Sequence, residues 1–203
     1  MTPPTTQRPP RARDAHATKA LLLDAATDEF AECGLAGARI DRVAERAGAN
    51  KRLLYVYFGD KNDLFDAVVA EQTQAVMAAA PMPDGDLCAF AAARFDYMLA
   101  HPRARRLANW RAFERSRTTE LEREAFQARV DAVAVAQRAG RLRDDVAAVD
   151  LFAMVLRLTE SWLSAPPGLL ATTGEDPMAA ARLAEHRTAL LAAVRRVVEP
   201  TSG

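Results

Sequence analysis

One short stretch, residues 39–61, combines cationic, amide and phenolic side chains at close spacing. Ammonium and guanidinium groups pair with phosphate, phenolic hydroxyls donate to phosphate oxygens, and amide or guanidinium groups bond to base edges. Double-stranded DNA offers all of these partners. The stretch therefore predicts a DNA contact, for which the candidates are Arg39, Asn50, Lys51, Arg52, Tyr55, Tyr57 and Lys61.

Two short predicted helices position these side chains. The first ends at Gly48 and has one apolar face, formed by Ile40, Val43, Ala44 and Ala47. In the second, Leu54 and Phe58 lie one turn apart and point inward. Only Ala49 and Asn50 remain between the two helices. Two short helices joined by a tight glycine-containing turn form a helix-turn-helix, whose second helix lies in the DNA major groove.

The position of each residue in this motif predicts whether it contacts base edges or phosphates. The first residues of the second helix, from Asn50 to Leu53, lie nearest the base edges, and the positive end of the helix also favours phosphate there. Tyr55, Tyr57 and Lys61 are expected to bind phosphate oxygens. Because two tyrosines two residues apart cannot share a helix face, at least one of them faces outward. Taken alone, each cation would also suit a solvated surface and each tyrosine a core, but their place beside the turn favours DNA.

Apolar periodicity predicts helices along most of the chain, and the alternation typical of strands is absent. The first helix has Leu22, Ala26 and Phe30 on one face and stops at Gly34. The fold class is therefore all-α. About nine helices are expected, arranged as a three-helix head over residues 14–58, a connecting helix over 60–80 and a larger helical domain over 86–198.

Caps and prolines set the remaining boundaries. Asp60 caps the connecting helix with Asp63 three residues later, and Pro102 begins an arginine-rich helix. Two helices, over residues 146–163 and 176–198, close the chain and flank a loop over residues 166–174. The expected domains are a disordered basic arm (1–13), a DNA-binding domain with its connecting helix (14–80) and a C-terminal domain (81–203).

Composition narrows the class of protein. Half of the 203 residues are hydrophobic and 27 Lys and Arg balance 27 Asp and Glu, so the chain should fold and any DNA surface must be local. The Pro- and Arg-rich N-terminus is no secretory signal and no stretch suits a membrane span, which predicts a cytoplasmic protein without a membrane partner. Arg8, Arg11 and Arg13 could reach an adjacent minor groove or belong to a disordered leader.

Catalysis has little support in the sequence. No nucleophile elbow, P-loop or dinucleotide motif occurs, and His16, His101 and His186 are too far apart for a local metal motif. Cys33 and Cys88 form no C-x-x-C pair and suit the core. We therefore predict no enzymatic activity, no catalytic residue, no cofactor and no metal.

The C-terminal part is rich in aromatic residues and methionine, as a pocket between helices would be. Each such residue would also suit a plain core. As a set they predict a site for a small, largely apolar effector, formed by Phe95, Met98, Asn109, Trp110, Phe113, Met154 and Trp162. Asn109, Arg94 or Arg157 could supply its polar anchor.

Two further features of this part concern its surfaces. The arginines between Arg103 and Arg117 could form a second nucleic-acid surface or an exposed helix face that couples the two halves. The last two helices carry apolar residues on more sides than a single core contact needs, which predicts that they form the interface of a homodimer.

Over residues 17–70 the chain resembles the tetracycline-repressor (TetR) family of helical transcriptional regulators. The family pattern of a turn glycine, an L-Y-x-[HY]-F core and a following lysine is matched by Gly48, Leu54, Tyr55, Tyr57, Phe58 and Lys61. The opening helix, with Leu22 to Ala26 followed by Phe30 and Gly34, is also similar. Beyond residue 80 the architecture resembles the divergent ligand domains of the family, and residues 101–110 resemble one actinobacterial-type branch.

One position departs from the family pattern. The Ser or Thr that usually caps the second helix is replaced by Ala38 and Arg39. Arg39 is expected to exchange that cap, worth about 1 kcal/mol, for a phosphate contact.

The predicted function is ligand-responsive transcriptional regulation, most simply repression, by a homodimer that binds a roughly palindromic operator and is released by a small molecule. Activation is the alternative mode of regulation. The competing classes are a ligand-sequestering dimer without operator recognition and a small helical enzyme that acts in the apolar cavity.

Overall fold

The computed structural model of the protein describes residues 12–114 and 118–200, with side chains from Ala15 onwards. Most of the predicted arm, residues 1–13, including Arg8 and Arg11, therefore lies outside the described residues. The backbone of Ala12 and Arg13 forms the start of the first helix.

The described residues are helical and contain no strand, which confirms the predicted all-α class. Of the ten α-helices, all but α9 have at least seven residues. They are α1 (Ala12–Gly37), α2 (Ile40–Arg46), α3 (Lys51–Phe58), α4 (Lys61–Ala79), α5 (Leu87–Ala100), α6 (Pro102–Glu114), α7 (Glu120–Arg138), α8 (Ala148–Leu158), α9 (Pro167–Ala171) and α10 (Ala180–Val198), and a 3-10 turn spans Pro83–Gly85.

Several of these helix boundaries were predicted from capping residues and prolines in the sequence. Asp60 Oδ1 accepts the backbone N–H of Asp63, whose carboxylate accepts the N–H of Asp60 in return, so the predicted cap of α4 is present. Pro102 begins α6 as expected. The loop predicted over residues 166–174 contains one short helix that was not predicted, α9, for which Pro167 provides a first helical residue.

The chain divides into two compact units. The head unit consists of the described residues up to Glu71 together with α6 from Arg103 onwards. Its core contains the predicted α1 stripe, with Leu22, Ala26 and Phe30 fully buried. The ring of Phe30 meets Phe65 of α4 edge to face, with centroids 5.0 Å apart. The three-helix head is thus closed by the first half of α4.

Helix α6 packs on α1 in the head unit through residues spaced four, three and four apart, which share one helix face. Arg103 pairs with Asp24 and Asp28 at 2.7 and 3.0 Å. Leu107 is buried in the head core, and Trp110 Nε1 donates to the Ala31 carbonyl at 3.3 Å. At the end of α6, Glu114 accepts the backbone N–H groups of Leu35 and Ala36, the two residues that follow Gly34.

The C-terminal unit consists of residues 72–102 and the described residues from Thr118 onwards. Helix α5 packs against α8 and α10, and Phe90, Phe95 and Met98 are among its buried residues. Helix α5 is therefore the central, buried helix of this unit. Arg94 is also buried on α5, where its guanidinium donates to Thr159 Oγ1 and to Glu160 Oε1, each at 2.6 Å.

None of the helices in residues 12–114 and 118–200 combines the length and the apolar character that crossing a bilayer requires.

Gly34 should resist substitution for two separate reasons. Its backbone has φ +67° and ψ −179°, a conformation open almost only to glycine, and an added Cβ would lie 2.8 Å from Trp110 Cε3 and Glu114 Oε1. We expect Gly34→Ala to lower the free energy of unfolding by more than about 2 kcal/mol, measured by urea denaturation.

Gly48→Ala is the matched control. Gly48 also has a positive φ, +60°, but an added Cβ would meet nothing within 4 Å, so only the backbone cost of about 1–2 kcal/mol applies. Equal losses in the two variants would contradict the described packing of α6 against Gly34.

Candidate nucleic-acid interface

The turn of the helix-turn-helix is built by backbone bonds around Gly48. Its N–H donates to the Glu45 carbonyl at 3.1 Å, and the Ala49 N–H donates to the Ala44 carbonyl at 3.0 Å. This pair of bonds satisfies the last carbonyls of α2 and needs a residue of positive φ at position 48. The predicted glycine turn is therefore present, and it sets the direction in which α3 leaves α2.

Helix α3 has one buried and one solvent-facing side. At its start, Asn50 Oδ1 accepts the Arg52 N–H at 2.8 Å, so Asn50 is the N-cap. Leu54 is buried in the head core, where Leu53, Tyr57 and Phe58 also pack in part. Tyr55 is 51% exposed, which confirms that one of the two tyrosines faces outward.

The start of α2 is held by a buried carboxylate of α1, that of Glu29, whose side chain is 1% exposed. Its Oε1 accepts the Arg39 backbone N–H at 2.8 Å and two N–H groups of Arg42 at 2.8 and 2.6 Å. The Arg39 side chain makes no capping bond. We refer to Glu29, the Arg39 N–H and the Arg42 guanidinium as the Glu29 cluster. It binds the start of α2 from α1, although Glu29 accepts the N–H of the N-cap residue itself and not those of the first helical turn that a Ser or Thr side chain would accept.

Charge complementarity extends this contact along α1. Arg46 of α2 pairs with Glu32 at 3.0 Å and lies 3.9 Å from Asp28. Its hydrogen bond lowers the pKa of Glu32, and the bond to Glu29 raises the pKa of Arg42. Two arginines of the motif, Arg42 and Arg46, are therefore engaged in ion pairs that hold α2 against α1.

Three of the predicted DNA-contact residues stand free at the surface. Arg39 and Arg52 are exposed, and neither guanidinium has an ion pair or hydrogen bond within the described part of the head unit. The ring of Tyr55 lies outside the core. Arg39 precedes α2 and Arg52 is in the first turn of α3, so cations mark the beginnings of both helices.

Two lysines predicted to bind DNA have partners within the head unit. Lys51 Nζ lies 2.7 Å from Asp41 Oδ1, and that hydrogen bond raises the pKa of Lys51. Lys61 Nζ donates to the Ala38 carbonyl at 3.3 Å and to the Ala36 carbonyl at 3.5 Å. Lys61 therefore ties the start of α4 to the segment between α1 and α2.

A third lysine, Lys19, was missed by the sequence reasoning. Its ammonium lies 5.4 Å from the centroid of the Phe58 ring, so α1 places a cation beside the end of α3. All three lysines of the chain thus belong to the head unit. The scarcity of lysine elsewhere was the signal that could have indicated Lys19.

The residues predicted to bind an effector fall into two groups. Phe95, Met98, Met154 and Trp162 belong to the C-terminal unit, where the first two are buried and Met154 is 49% exposed on α8. Trp162 is half-buried, and its ring stacks with His186 at a centroid distance of 5.0 Å. Asn109, Trp110 and Phe113 belong to α6 of the head unit. They line an open cleft of about 370 Å³ together with Ala31, Glu32 and Arg106.

One group of side chains has the donor types of a metal site. Carboxylate oxygens of Glu29 and Glu32 and the Cys33 Sγ lie within 4.8 Å of one another. Arg42 and Arg46 already bond to these groups, with Arg42 Nη2 3.2 Å from the thiol. Because two guanidinium charges occupy the position that a cation would take, the group serves as part of the α1–α2 contact.

Comparison with known proteins agrees with this geometry. Residues 22–68 match the family model described as bacterial regulatory proteins, tetR family, and residues 86–196 match the tetracyclin repressor-like C-terminal domain. The second match alone spans more than half of the chain. The protein belongs to the TetR family of bacterial transcriptional regulators. Members of this family are DNA-binding regulators and are not enzymes, so the sequence-based interpretation of the class is confirmed.

Several relatives are similar over most of their length. The transcriptional repressor SCO4008 of Streptomyces coelicolor is 37% identical over 161 residues, which cover 77% of this chain and 83% of that protein. The repressor Rv1474c of Mycobacterium tuberculosis is 32% identical, over 83% of this chain and 90% of its own. The crystal structure of the regulator SCO4942 from Streptomyces coelicolor has a TM-score of 0.77 and 30% identity and covers 89% of this chain and 98% of that one.

Removing the charge of Glu29 tests whether the Glu29 cluster holds the head together. Glu29→Gln removes the negative charge and replaces one carboxylate oxygen with an NH2 group. That NH2 group is a donor and cannot accept a hydrogen bond from the donors of α2, so the buried side chain loses part of its compensation. We expect the free energy of unfolding to fall by about 1–3 kcal/mol, measured by chemical denaturation.

Glu32→Gln, which removes a more exposed carboxylate from the same side of α1, is the matched control and should cost less. An equal loss of unfolding free energy in Glu32→Gln and Glu29→Gln would show that the buried position of Glu29 adds no stability beyond that of an exposed ion pair.

Proposed function

We propose that the protein is a repressor that binds a two-fold-symmetric operator as a homodimer and leaves it when a small, largely apolar effector binds. The observation that carries this proposal is the solvent face of α3. Helix α3 is directed by the glycine turn and the Glu29 cluster, and it presents Arg52 and Tyr55 to solvent. Such a face reads base edges in the major groove. An operator in bacterial DNA places the protein in the cytoplasm.

The two exposed arginines have different tasks in this proposal. Arg52, at the N-terminal end of α3, can reach a base edge and pair with guanine. Arg39, before α2, lies where the first helix of the motif crosses the DNA backbone, and it binds phosphate. The partly exposed Tyr57 and Lys61 add phosphate contacts at the edge of the motif, as proposed for them from the sequence.

Selection from a random pool of double-stranded DNA tests the function. We expect a palindromic site to be enriched, with half-sites about 34–36 Å apart or a multiple of that spacing. On that site, Arg52→Ala should relax the preference at one base pair. Arg39→Ala should weaken all sequences alike and reduce the slope of log K against log salt by about two, one unit per subunit.

The two variants serve as controls for each other, because both remove an exposed guanidinium from the same motif. A pool without any enriched sequence would contradict operator binding and favour the ligand-sequestering dimer. Identical effects of the two variants on base preference would contradict the division of tasks between them.

The dimer is assigned to α8 and α10. Helix α8 is buried on one side by Leu151 and Val155, yet Val149 is 55% and Met154 49% exposed on the rest of its surface. The exposed side of α10 carries small residues that permit close helix approach, namely Ala181, Ala184, Thr188 and Ala192. Two such helices from each subunit form a self-complementary four-helix interface.

A charge placed on α8 should separate the subunits. We expect Val149→Asp to convert the dimer to a monomer in sedimentation at micromolar concentration, because a buried, unpaired carboxylate in the interface is strongly unfavourable. Val135→Asp, on α7, is the matched control, since Val135 is 50% exposed on a helix not assigned to the interface. A wild-type chain that sediments as a monomer, or dissociation in the control alone, would contradict the assignment.

The effector site is proposed in the C-terminal unit, around Phe95, Met98 and Trp162. The Phe95 ring lies 5.7 Å from the His186 ring, which stacks on Trp162, so aromatic surface from α5 and α10 meets there. Of the polar anchors considered from the sequence, Arg94 already pairs with Glu160, which compensates its charge within the protein. Three other predicted residues, Asn109, Trp110 and Phe113, belong to the head unit. A ligand bound at their cleft would affect the contact between α1 and α6.

Release of DNA follows as a shift between two conformations. Helix α4 belongs to the head unit up to Glu71 and to the C-terminal unit from Gln72 onwards. An effector that binds one conformation of the C-terminal unit more tightly can favour a position of α4 in which the two heads no longer fit successive grooves. The effector can shift the equilibrium between the two conformations by no more than the ratio of its affinities for them.

A further inference from the structure

The most exposed large apolar residue of α3 is Val56, with 66% of its surface accessible. A β-branched residue adds little to the stability of a short helix, and Val56 is absent from the head core, which α3 reaches through Leu54. Val56 lies one helical turn after Arg52, next to Tyr55, on the face that is proposed to enter the major groove. The packing of the head core therefore assigns no role to the Val56 side chain.

The polar groups around this face are largely engaged within the protein. Asn50 Oδ1 accepts the Arg52 N–H, Lys51 is paired with Asp41, and Lys61 bonds to backbone carbonyls. Base recognition by α3 must then rely on few groups, of which the Arg52 guanidinium, the Tyr55 ring and the Val56 methyl groups are exposed. An apolar group in the major groove has one specific partner, the C5-methyl group of thymine.

We propose that Val56 reads a thymine in each half-site by contact with its C5-methyl group. Residues four apart on a helix are about 6 Å apart along its axis, and successive base pairs are about 3.4 Å apart. The thymine therefore lies within about two base pairs of the base that Arg52 contacts. This inference rests on the proposed function, and it adds the base class that the solvent face of α3 selects.

Deletion of single methyl groups from the operator tests the contact. Each thymine of the selected half-site is replaced in turn by deoxyuridine, which keeps the base pair and removes only the C5-methyl group. For the wild-type protein, one position should weaken binding by a factor of about four per half-site, the equivalent of about 0.8 kcal/mol for one buried methyl group. Positions outside the reach of Val56 should change affinity little.

The protein variants make the test specific. Val56→Ala should weaken binding to the thymine operator by a similar factor and lose the sensitivity to deoxyuridine at that position, whereas Val56→Ile should keep the sensitivity. Val135→Ala is the matched control, because it shortens another exposed valine, 50% accessible, on α7 and should leave both affinities unchanged. Since Val56 is exposed, unchanged thermal unfolding of Val56→Ala is expected and is measured alongside.

Two results would overturn the inference while leaving operator binding intact. One is a wild-type protein that binds every deoxyuridine operator as tightly as the thymine operator. The other is a Val56→Ala variant that keeps the full wild-type sensitivity to deoxyuridine. Failure of the proposed function is recognised earlier and separately, because selection would then enrich no sequence, and it overturns both.

Discussion

The position of the DNA-reading helix depends on one buried charge, the carboxylate of Glu29. An ionised carboxylate removed from water costs several kcal/mol unless donors replace its hydration. Here the donors are the Arg39 N–H and the Arg42 guanidinium, both at the beginning of α2. Because a shift of α2 would leave the charge uncompensated, α1 and α2 hold one relative arrangement. Helix α3 follows four residues later through a turn whose bonds leave it little freedom.

Helix α6 packs on α1 and bonds to it at other positions. Arg103 pairs with Asp24 and Asp28, and Trp110 bonds to the Ala31 carbonyl, close to the Glu29 cluster in sequence. At Gly34 the α1 backbone leaves helical geometry, and Glu114 accepts the N–H groups exposed there. A movement of α6 must therefore carry α1 with it or break these bonds. The acidic residues of α1 thus explain both how α2 is oriented and how α6 is attached.

Local features of the fold were predictable from the sequence, because their causes are local. The stripe of Leu22, Ala26 and Phe30, the turn at Gly48 and the cap at Asp60 each rest on residues within one or two turns of each other. That at least one of Tyr55 and Tyr57 faces outward followed from helix geometry, and the structure shows that it is Tyr55. Helix α9 was missed because prolines and glycines also mark loops.

Tertiary partners were not predictable in the same way. The C-terminal domain predicted from residue 81 onwards includes α6, as does the matched C-terminal family model over residues 86–196, while bonds to α1 between residues 79 apart in the chain group α6 in space with the head unit. Glu29 is an acidic residue of α1 whose burial the sequence did not indicate, since its charge is compensated by Arg42 thirteen residues away. The partners of Lys51 and Lys61 are likewise tertiary. For these lysines the sequence indicated the region, and only the structure showed that each has a partner within the head unit.

The central claim is that DNA binds to the solvent face of the helix-turn-helix directed by the Glu29 cluster. Hydrogen–deuterium exchange of the full chain, with and without the selected operator, locates that contact most directly. The account predicts that exchange slows on DNA binding at the backbone amides between Arg39 and Lys61, above all at the start of α3, because groove contacts exclude solvent there and suppress local opening. Slower exchange along the arginine-rich helix α6, with residues 39–61 unchanged, would contradict it.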